Sequence, residues 1–507
     1  MMQKKPFGEK HIIILGGGTA GWMAASLFDQ AWGADGARIT LIESAEIDTI
    51  GVGEGSTPYL RQFFRTLNIP ENEWMPACNA TYKCGIRFPG WSGKPGFESY
   101  FHPFFSELDQ DTGYAFFHNC ALRRGGIDVP VNPDRFFVSA QLAAQHKSPV
   151  AGDGLRHTPD YGYHFDAGLL GAFLKKRAEA RGINHRIDTV ERVAQDESGD
   201  ITALHLKDGG SVDGDLFIDC TGFAALMIQK SLGERFVSYG DVLFNDRAVA
   251  LASPLNPAEG LPSETVSTAL GHGWAWKIPL TTRFGNGYVY SSAHIDESTA
   301  EDALRRHLGP AAKGGEARHL KMRVGRVENH WQKNCLAVGL SQGFIEPLEA
   351  TALMLVQLTI EKFIQMYGEG DYTSRHQPAF NQRINMFFDG IRDYIVTHYK
   401  INGRNDSDYW IENRDNPHIS DRLAELLAVW DGGGDFETLL DRYGDALIYL
   451  RPSWYAILAG MGRFPSHATS APAKTPIAPM HQIHDLHTEA LAYFPDHRDH
   501  LARMYPF

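Results

Sequence analysis

The sequence has few cysteines, no excess of positive charge and no long apolar run, and each shortage excludes a class of protein. Its five cysteines among 507 residues are scattered and include no C-x-x-C pair, so we expect neither a disulfide framework nor a zinc site. Its 61 acidic residues outnumber its 48 basic ones, and the net charge of −13 disfavours nucleic acid as a partner. No stretch reaches the roughly 18 apolar residues of a membrane span. We therefore expect a cytoplasmic protein that works without a membrane.

The N-terminal segment predicts a dinucleotide site. Ile12 to Leu15 are apolar and mostly β-branched, as in a buried parallel strand, and the next residues, GGGTAG, fill the pattern G-x-G-x-x-G before a helical segment. Such a turn lets the main chain approach a pyrophosphate at the helix N-terminus. A second strand, 39–42, ends in Glu43, where a carboxylate would bind ribose hydroxyls. A purely structural glycine turn is the alternative. The predicted cofactor residues here are Gly16, Gly18, Thr19, Ala20, Gly21 and Glu43.

Three later glycine-containing edges favour the same ligand. The loop 50–58 is dense in glycine, and the strands 215–220 and 335–338 each run into a glycine, where main chain can approach a ligand closely. We expect further cofactor contacts at Gly51, Val52, Gly222, Gly339 and Leu348.

The rest of the chain divides into a core and a helical region. We predict a dinucleotide-binding core over residues 1–364, with an aromatic insertion at 74–120, and a mainly helical, substrate-side region over 365–507 that contains a linker or belt at 466–480. The dipeptide Asn286-Gly287 predicts a hairpin turn within 284–290. His481, His484 and His487 recur every third residue, which allows metal binding, but a solvated tail is the better interpretation, and we expect no metal.

Residues 273–279 read GWAWKIP, and they resemble the W-x-W-x-I-P motif of flavin-dependent halogenases, the tryptophan halogenase family. Taken alone, Trp274 and Trp276 would be two same-face aromatics of a strand in a core. The resemblance implies instead a wall that keeps an organic substrate away from the flavin, so that halide attacks the flavin hydroperoxide. Only one G-x-G-x-x-G opens a strand-to-helix turn, which disfavours a flavoenzyme of the disulfide-reductase type.

Residues 339–352 read GLSQGFIEPLEATA and are similar to the family pattern G-F-x-E-P-L-E-S-T-G. The resemblance implies that halide binds the main-chain N–H groups of Thr351 and Ala352, and a helix N-terminus there would favour an anion. The chain departs from the pattern at Ala350, usually serine, and at Ala352, usually glycine. The added Cβ of Ala352 could alter pocket size and halide preference.

The segment 80–88, ATYKCGIRF, resembles the part of the family that carries its catalytic lysine, which corresponds to Lys83. In isolation this lysine would be a solvated or snorkelling side chain. The resemblance pairs it with Glu349, which would orient the oxidant and stabilise or deprotonate the cationic arene intermediate. Lys83 would act on hypohalous acid as an ammonium, or form a haloamine as a free amine. Glu346 is the alternative carboxylate, with a structural role.

The resemblance also implies a substrate pocket. His102 and Phe104 match an H-x-F element that lines it, although a histidine in an aromatic loop is as often a packing residue; Ile50, in the strap between flavin and substrate sites, and Trp454 complete the set. The segment 449–455, YLRPSWY, lacks the paired tyrosines and acid with which the free-tryptophan enzymes hold the amino-acid backbone. We therefore favour an indole or indole-like ring over free tryptophan.

Taken together, we expect an α/β fold with a Rossmann-like FAD-binding core of the flavin monooxygenase type and a helical C-terminal region. The resemblance implies that a separate flavin reductase supplies FADH2, that O2 and then chloride or bromide react to give hypohalous acid, and that Lys83 directs this oxidant to an electron-rich arene. A flavin-dependent hydroxylase is the nearest alternative, and a non-enzymatic FAD-binding sensor or carrier is a more distant one. We expect no nucleic-acid partner and either a monomer or a homodimer.

Overall fold

Short strands alternate with helices along most of the chain. The computed structural model describes residues 7–46, 53–155, 157–465 and 477–505. The strands are β1 (His11–Leu15), β2 (Arg38–Glu43), β3 (Gly53–Gly55), β4 (Thr81–Lys83), β5 (Gly85–Pro89), β6 (Ser99–Pro103), β7 (Gly162–Asp166), β8 (Asn184–Ile187), β9 (Val190–Gln195), β10 (Ile201–Leu206), β11 (Ser211–Asp213), β12 (Leu216–Asp219), β13 (Phe236–Ser238), β14 (Arg247–Ser253), β15 (Thr265–Leu270), β16 (Gly273–Pro279), β17 (Phe284–Tyr290), β18 (Ala317–Lys321), β19 (Gly325–Val327), β20 (Trp331–Gln332), β21 (Cys335–Ala337) and β22 (Gly343–Phe344).

The helices carry most of the C-terminal third. They are α1 (Thr19–Trp32), α2 (Tyr59–Thr66), α3 (Glu71–Ala77), α4 (Gln110–Arg124), α5 (Val138–Ala144), α6 (Ala167–Ala180), α7 (Glu297–Leu308), α8 (Ala352–Glu369), α9 (Gln377–Lys400), α10 (Asp408–Asp415), α11 (Asp421–Asp431), α12 (Phe436–Tyr443), α13 (Arg451–Gly460), α14 (Met480–Leu491) and α15 (His497–Met504). None of these helices is long and apolar enough to cross a membrane.

The sheet that contains β1 has six strands in the order β20-β21-β12-β1-β2-β8, and β20 alone runs antiparallel to its neighbour. Ile12, Ile13 and Ile14 of β1 are fully buried because both faces of the sheet are covered, which is why this strand is a continuous apolar run. Helix α1 packs against α6 and α8. The predicted strands at 12–15, 39–42, 215–220 and 335–338 all belong to this sheet, so the predicted α/β class is confirmed.

A second sheet of seven strands, β18-β14-β17-β16-β15-β5-β6, carries the two-tryptophan motif on β16. The predicted hairpin at Asn286-Gly287 is wrong, because β17 runs unbroken from Phe284 to Tyr290 beside β16. Its glycines have a packing reason: a Cβ on Gly287 would lie 2.1 Å from the ring of Trp276, and one on Gly285 would lie 3.2 Å from the Cα of Gly53. These positions are therefore glycine because other parts of the chain pack closely against the strand, and not because the chain turns there.

A small sheet, β3-β7-β4, holds Lys83 at the end of an edge strand. One extended hydrophobic core includes Ile14, Trp74, Trp274 and Trp454, so residues from both proposed regions share it. The division of the chain at residue 364 stays a prediction.

Asp219 closes the turn after β12, and its replacement tests how strongly that turn is held. Its Oδ1 accepts from the N–H and the hydroxyl of Thr221, at 3.0 and 2.6 Å, and its Oδ2 accepts from the N–H groups of Met227 and Ile228, both at 2.8 Å. An amide in Asp219→Asn would turn a donor toward these donors. We expect the free energy of unfolding to fall by about 2 to 4 kcal/mol in urea denaturation. Asp208→Asn, in an exposed turn, is the control, and equal stability of both variants would contradict the expectation.

Candidate active site

The predicted glycine turn forms a cradle at the start of α1. Gly16 has φ of +115°, and a Cβ on it would lie 2.2 Å from the carbonyl oxygen of Cys220. A Cβ on Gly21 would lie 1.9 Å from the carbonyl oxygen of Gly16. Beside these closed positions, a Cβ on Gly18 would meet nothing within 4 Å. Main chain thus surrounds an open space at a helix N-terminus, where a phosphate fits.

Glu43 lies at the end of β2, next to this cradle. A Cβ on Gly17 would collide with its Oε2, at 1.6 Å. Its Oε1 lies 2.9 Å from Nζ of Lys175 and 2.8 Å from Nε2 of His185. Adjacent strand β1 ends at the glycine cradle, so the carboxylate is suitably located for ribose hydroxyls.

The remaining predicted cofactor residues gather at the carboxyl ends of the parallel strands. Gly222 and Gly339, with φ of +66° and +73°, begin the 3-10 turns that follow β12 and β21. A Cβ on Gly339 would lie 2.9 Å from the Cβ of Ala20, so this turn packs on the start of α1. Leu348 is buried in the segment that precedes α8. This edge of a parallel sheet is where nucleotides bind, and its residues fit FAD. Gly51 and Val52 lie outside the described residues.

A buried glutamate holds the first of the two tryptophans of β16. The rings of Trp274 and Trp276 lie 6.2 Å apart on one face of the strand. Oε2 of Glu346 accepts from Nε1 of Trp274 at 3.2 Å, from Nδ2 of Asn245 at 2.9 Å and from the hydroxyl of Tyr399 at 2.5 Å. Burial raises the pKa of Glu346 to about 6, although these donors oppose the rise. Glu346 therefore fixes the position of Trp274.

Lys83 is a fully buried amine without a hydrogen-bond partner in the described part of the chain. Its Nζ lies 5.5 Å from the centre of the Phe104 ring, and a Cβ on Gly55 would lie 3.2 Å from it. Burial lowers the pKa of Lys83 to about 7, and the negative charge of Glu349 limits the fall. Near neutral pH the amine can therefore both hold and release a proton.

Glu349 is buried between two histidines. Nδ1 of His102, on β6, lies 2.9 Å from its Oε2, and Nε2 of His398, on α9, lies 3.1 Å from its Oε1. Burial alone would raise the pKa of Glu349, but the charges and hydrogen bonds of these histidines outweigh burial and lower the pKa to about 2. The carboxylate thus stays ionised over the range in which Lys83 titrates.

Aromatic side chains from three elements complete the pocket. The ring of Tyr394, on α9, stacks on Tyr449 with centres 3.7 Å apart and meets Trp454 edge-on at 5.0 Å. Its hydroxyl lies 3.5 Å from Nε2 of His102. The hydroxyl of Tyr449 and Nε1 of Trp454 are buried without a hydrogen-bond partner among the described residues. The structure thus brings Lys83, Glu349 and the predicted pocket residues His102, Phe104 and Trp454 into one region; Ile50 lies outside the described residues.

The sequence analysis missed His398 and Tyr394, and it found no tyrosine pair where Tyr394 and Tyr449 form one. Tyr394 and His398 are four residues apart on α9, so they lie on one face of that helix. That spacing was visible in the sequence, but nothing local indicated that this face points toward Glu349.

The predicted halide residues lie at the N-terminus of α8. Thr351 precedes the first helical residue, Ala352, and its side chain does not cap the helix. Ala350 has φ of +57°, a left-handed conformation that an alanine rarely adopts, and it turns the chain from the 3-10 turn of Glu349 into the helix. The first-turn N–H groups are not capped by Thr351, so they suit an anion.

Metal binding finds no support in the described residues, which contain no group of three or more His, Cys, Asp or Glu side chains able to hold an ion. His481 and His484 are exposed on α14, and His487 is buried there.

Comparison with known proteins gives a consistent result. Residues 11–476 match the family model described as tryptophan halogenase. The chain is 37% identical to 7-chloro-L-tryptophan 6-halogenase KtzR of Kutzneria sp. (strain 744), over 97% of this chain and 99% of that protein. Among solved structures, it is similar to tryptophan 6-halogenase SttH of Streptomyces toxytricini (TM-score 0.85, 37% identity, 97% and 99% coverage) and to the flavin-dependent halogenase BrvH of Brevundimonas sp. BAL3 (TM-score 0.85, 32% identity, 98% and 99% coverage).

Two glycine substitutions separate packing from cofactor binding. In Gly21→Ala the new Cβ would push against the carbonyl of Gly16. We therefore expect the free energy of unfolding of the FAD-free protein to fall by about 1 to 3 kcal/mol. Gly18→Ala fills open space at φ of −71°, which alanine tolerates. We expect it to fold like the parent but to bind FAD at least about tenfold more weakly, measured by fluorescence titration. Unchanged FAD affinity in Gly18→Ala would show that the cradle is not a phosphate site.

The buried amine predicts an unusual stability effect. The pKa of Lys83 falls from 10.5 to about 7 on folding, so between these values the unfolded chain binds more protons, and stability rises with pH. Below pH 7 its burial costs about 1.4 kcal/mol for each unit of lowering. We expect Lys83→Met to be more stable than the parent at pH 6 and to lose most of this advantage by pH 10, measured by urea denaturation of both proteins. A difference that does not vary with pH would contradict the low pKa.

Proposed function

The chain belongs to the tryptophan halogenase family and is a flavin-dependent enzyme, and on this premise we propose that it halogenates an electron-rich indole ring through Lys83 and Glu349. The observation that carries the proposal is the buried amine of Lys83, which has no hydrogen-bond partner among the described residues and feels the charge of an ionised Glu349. The glycine cradle and the pocket lie on different elements, and Trp274 and Trp276 supply a wall between them.

The cofactor is FAD, held by the cradle residues and by the glycine turns at the edge of the parallel sheet. A separate flavin reductase supplies it in the reduced form. When bound, reduced FAD would supply the electrons that reduce O2. The reduced oxygen would then oxidise chloride or bromide to hypohalous acid. The wall keeps the organic substrate away from the flavin, because the rings of Trp274 and Trp276 occupy one face of β16. Glu346 fixes the position of the Trp274 ring.

Halide binding is assigned to the N–H groups of Thr351 and Ala352. The first turn of α8 offers partial positive charge to an anion. Glu349 lies three residues before the first residue of α8, and its negative charge acts on Lys83, where it favours a neutral oxidant over halide.

Lys83 directs the oxidant. With a pKa near neutrality, its ammonium form can donate a hydrogen bond to the oxygen of hypohalous acid and protonate the leaving hydroxide. Alternatively, its amine form can attack the halogen, which breaks the O–halogen bond, and the hydroxide leaves as water with a proton from the nitrogen to give a haloamine. In either case the carbon that faces Nζ receives the halogen, which sets the regiochemistry.

Glu349 stabilises the positive charge that develops on the arene and accepts the proton that leaves the ring. Its two histidine partners keep it ionised, which is required for the first task. The same contacts limit the basicity of the carboxylate, because a proton on Glu349 would weaken its contacts with the two histidines.

The substrate is an aromatic ring of indole type. The pocket offers the rings of His102, Phe104 and Trp454 for stacking, and unpartnered polar atoms on Tyr449 and Trp454 for a substrate's polar group. The relatives KtzR and SttH are named for reactions on tryptophan or 7-chlorotryptophan. We preferred indole because the segment 449–455 shows no tyrosine pair, but Tyr394 and Tyr449 form a stacked pair in the structure. Both indole and L-tryptophan are therefore substrates to test.

The test is an aerobic reaction with FAD, a flavin reductase, NADH, either ring and chloride or bromide, read by product mass. We expect a halogen isotope pattern in the parent and a loss of about 10² or more in Lys83→Ala and Glu349→Gln. Lys277→Ala is the matched control, because Lys277 also lies over a phenylalanine ring, at 4.2 Å, but belongs to β16. Oxygen gain that persists in Lys83→Ala would favour a hydroxylase instead, and FAD binding without any product would favour a sensor or carrier.

A further inference from the structure

The strand that carries Lys83 has one edge that no strand of the described residues covers. In the sheet β3-β7-β4, β4 pairs only with β7, with Thr81 opposite His164 and Lys83 opposite Gly162. The outward main-chain groups of β4 must therefore find other partners, because it is a buried strand of only three residues.

Side chains of α15 and the residue after it cover this edge. Nε2 of His497 accepts from the N–H of Tyr82 at 3.1 Å, and the hydroxyl of Tyr505 donates to the carbonyl of Ala80 at 2.5 Å. These contacts flank Thr81 and stand one and three residues before the lysine. The C-terminal tail, defined here as residues 477–505, thus replaces a neighbouring strand.

His497 is arranged for this contact. It is fully buried, and its Nδ1 lies 3.1 Å from the carbonyl of Leu261 and 3.2 Å from that of Pro262. Two carbonyl acceptors at Nδ1 require the proton there, which leaves Nε2 as an acceptor. Burial lowers the pKa of His497 to about 4, so the ring stays neutral and retains this tautomer at neutral pH. His497 therefore joins β4 to the loop that leads into β15.

The side chain of Tyr82 is fixed as well. Its ring stacks on His500 of α15 with centres 5.5 Å apart, and its hydroxyl donates to Glu71 at 2.7 Å. The tail itself is anchored on residues 146–152: the N–H of Ser148 donates to Pro495, and the N–H of His497 donates to His146, at 3.0 and 2.9 Å. The residue next to Lys83 is thus held through both main chain and side chain.

We propose that the C-terminal tail positions the catalytic lysine, with His497 and Tyr505 as positioning residues that fix β4 and keep the amine of Lys83 dry. This inference rests on the proposed function for the role of Lys83, but not for the contacts. Because the amine has no hydrogen-bond partner in the described part of the chain, its position follows that of its strand, and looseness of β4 would displace Nζ. A misplacement of about 1 Å can cost about 10²-fold in rate.

The test compares His497→Leu, which removes the acceptor, with His497→Gln, whose side-chain oxygen can still reach the N–H of Tyr82. His484→Leu, at an exposed position of the same tail, is the matched control. We expect His497→Leu to lower halogenated product per reduced flavin oxidised by at least about tenfold, His497→Gln to restore most of it, and FAD affinity to stay unchanged. Tyr505→Phe, which deletes one hydroxyl, gives a milder loss and serves if His497→Leu does not fold.

The pH dependence provides a readout that simple destabilisation would not change. The titratable groups around Lys83 are Glu349 from the turn before α8 and His164 from β7, and both remain in the variants. Once water reaches the amine, we expect the limb of the pH profile near 7 to move upward in His497→Leu and to return in His497→Gln. A lowered melting temperature with unchanged product yield and pH profile would overturn the proposal, as would equal loss in the Leu and Gln variants.

A measurement without catalysis separates this inference from the proposed function. Competitive acetylation of amines with acetic anhydride, followed by peptide mass spectrometry, reports how readily Lys83 reacts in each FAD-free protein. We expect protection of Lys83 in the parent, in His484→Leu and in His497→Gln, and faster labelling in His497→Leu. If no protein halogenates any ring, this difference still supports the role of the tail, and equal labelling in all of them would refute it.

Discussion

The burial of the Lys83 amine among aromatic side chains is the constraint to which the pocket is fitted. A buried lysine loses its hydration, and the described residues give this one a nearby carboxylate but no hydrogen bond. That carboxylate, Glu349, must itself be kept ionised, and its two histidines come from β6 and α9. The sheet that contains β6 and the helical region that contains α9 must therefore pack together before both histidines can contact Glu349. A shared hydrophobic core holds the two together.

Two glutamates three residues apart have opposite surroundings. Glu346 is held by neutral donors, and its pKa rises to about 6, whereas Glu349 lies between histidines, and its pKa falls to about 2. The 3-10 turn between them directs one carboxylate to Trp274 and the other to His102 and His398. The same residue type thus serves structure at one position and charge at the other because its neighbours differ.

The prediction that failed and the residues that were missed have a common cause. Asn286-Gly287 has the local chemistry of a turn, yet the ring of Trp276 lies where a Cβ of Gly287 would be, so the glycine belongs to a strand. Tyr394 and His398 show an ordinary helical spacing, and only the packing of α9 gives them a role beside Tyr449 and Glu349. Local patterns report what a segment can adopt, and tertiary contacts decide between the options.

Short motifs in the sequence predicted the strands of the parallel sheet and the glycine turn, because the residues of such motifs are close together in the chain. The resemblance singled out Lys83, Glu349 and the two tryptophans, and their roles stay predictions. What surrounds these residues follows from the tertiary structure alone. The clamp of His102 and His398 on Glu349 spans 247 positions in one direction and 49 in the other, and the contact of His497 with Tyr82 spans 415. Such partners share no local pattern, because they meet only after the sheets and the C-terminal tail have packed.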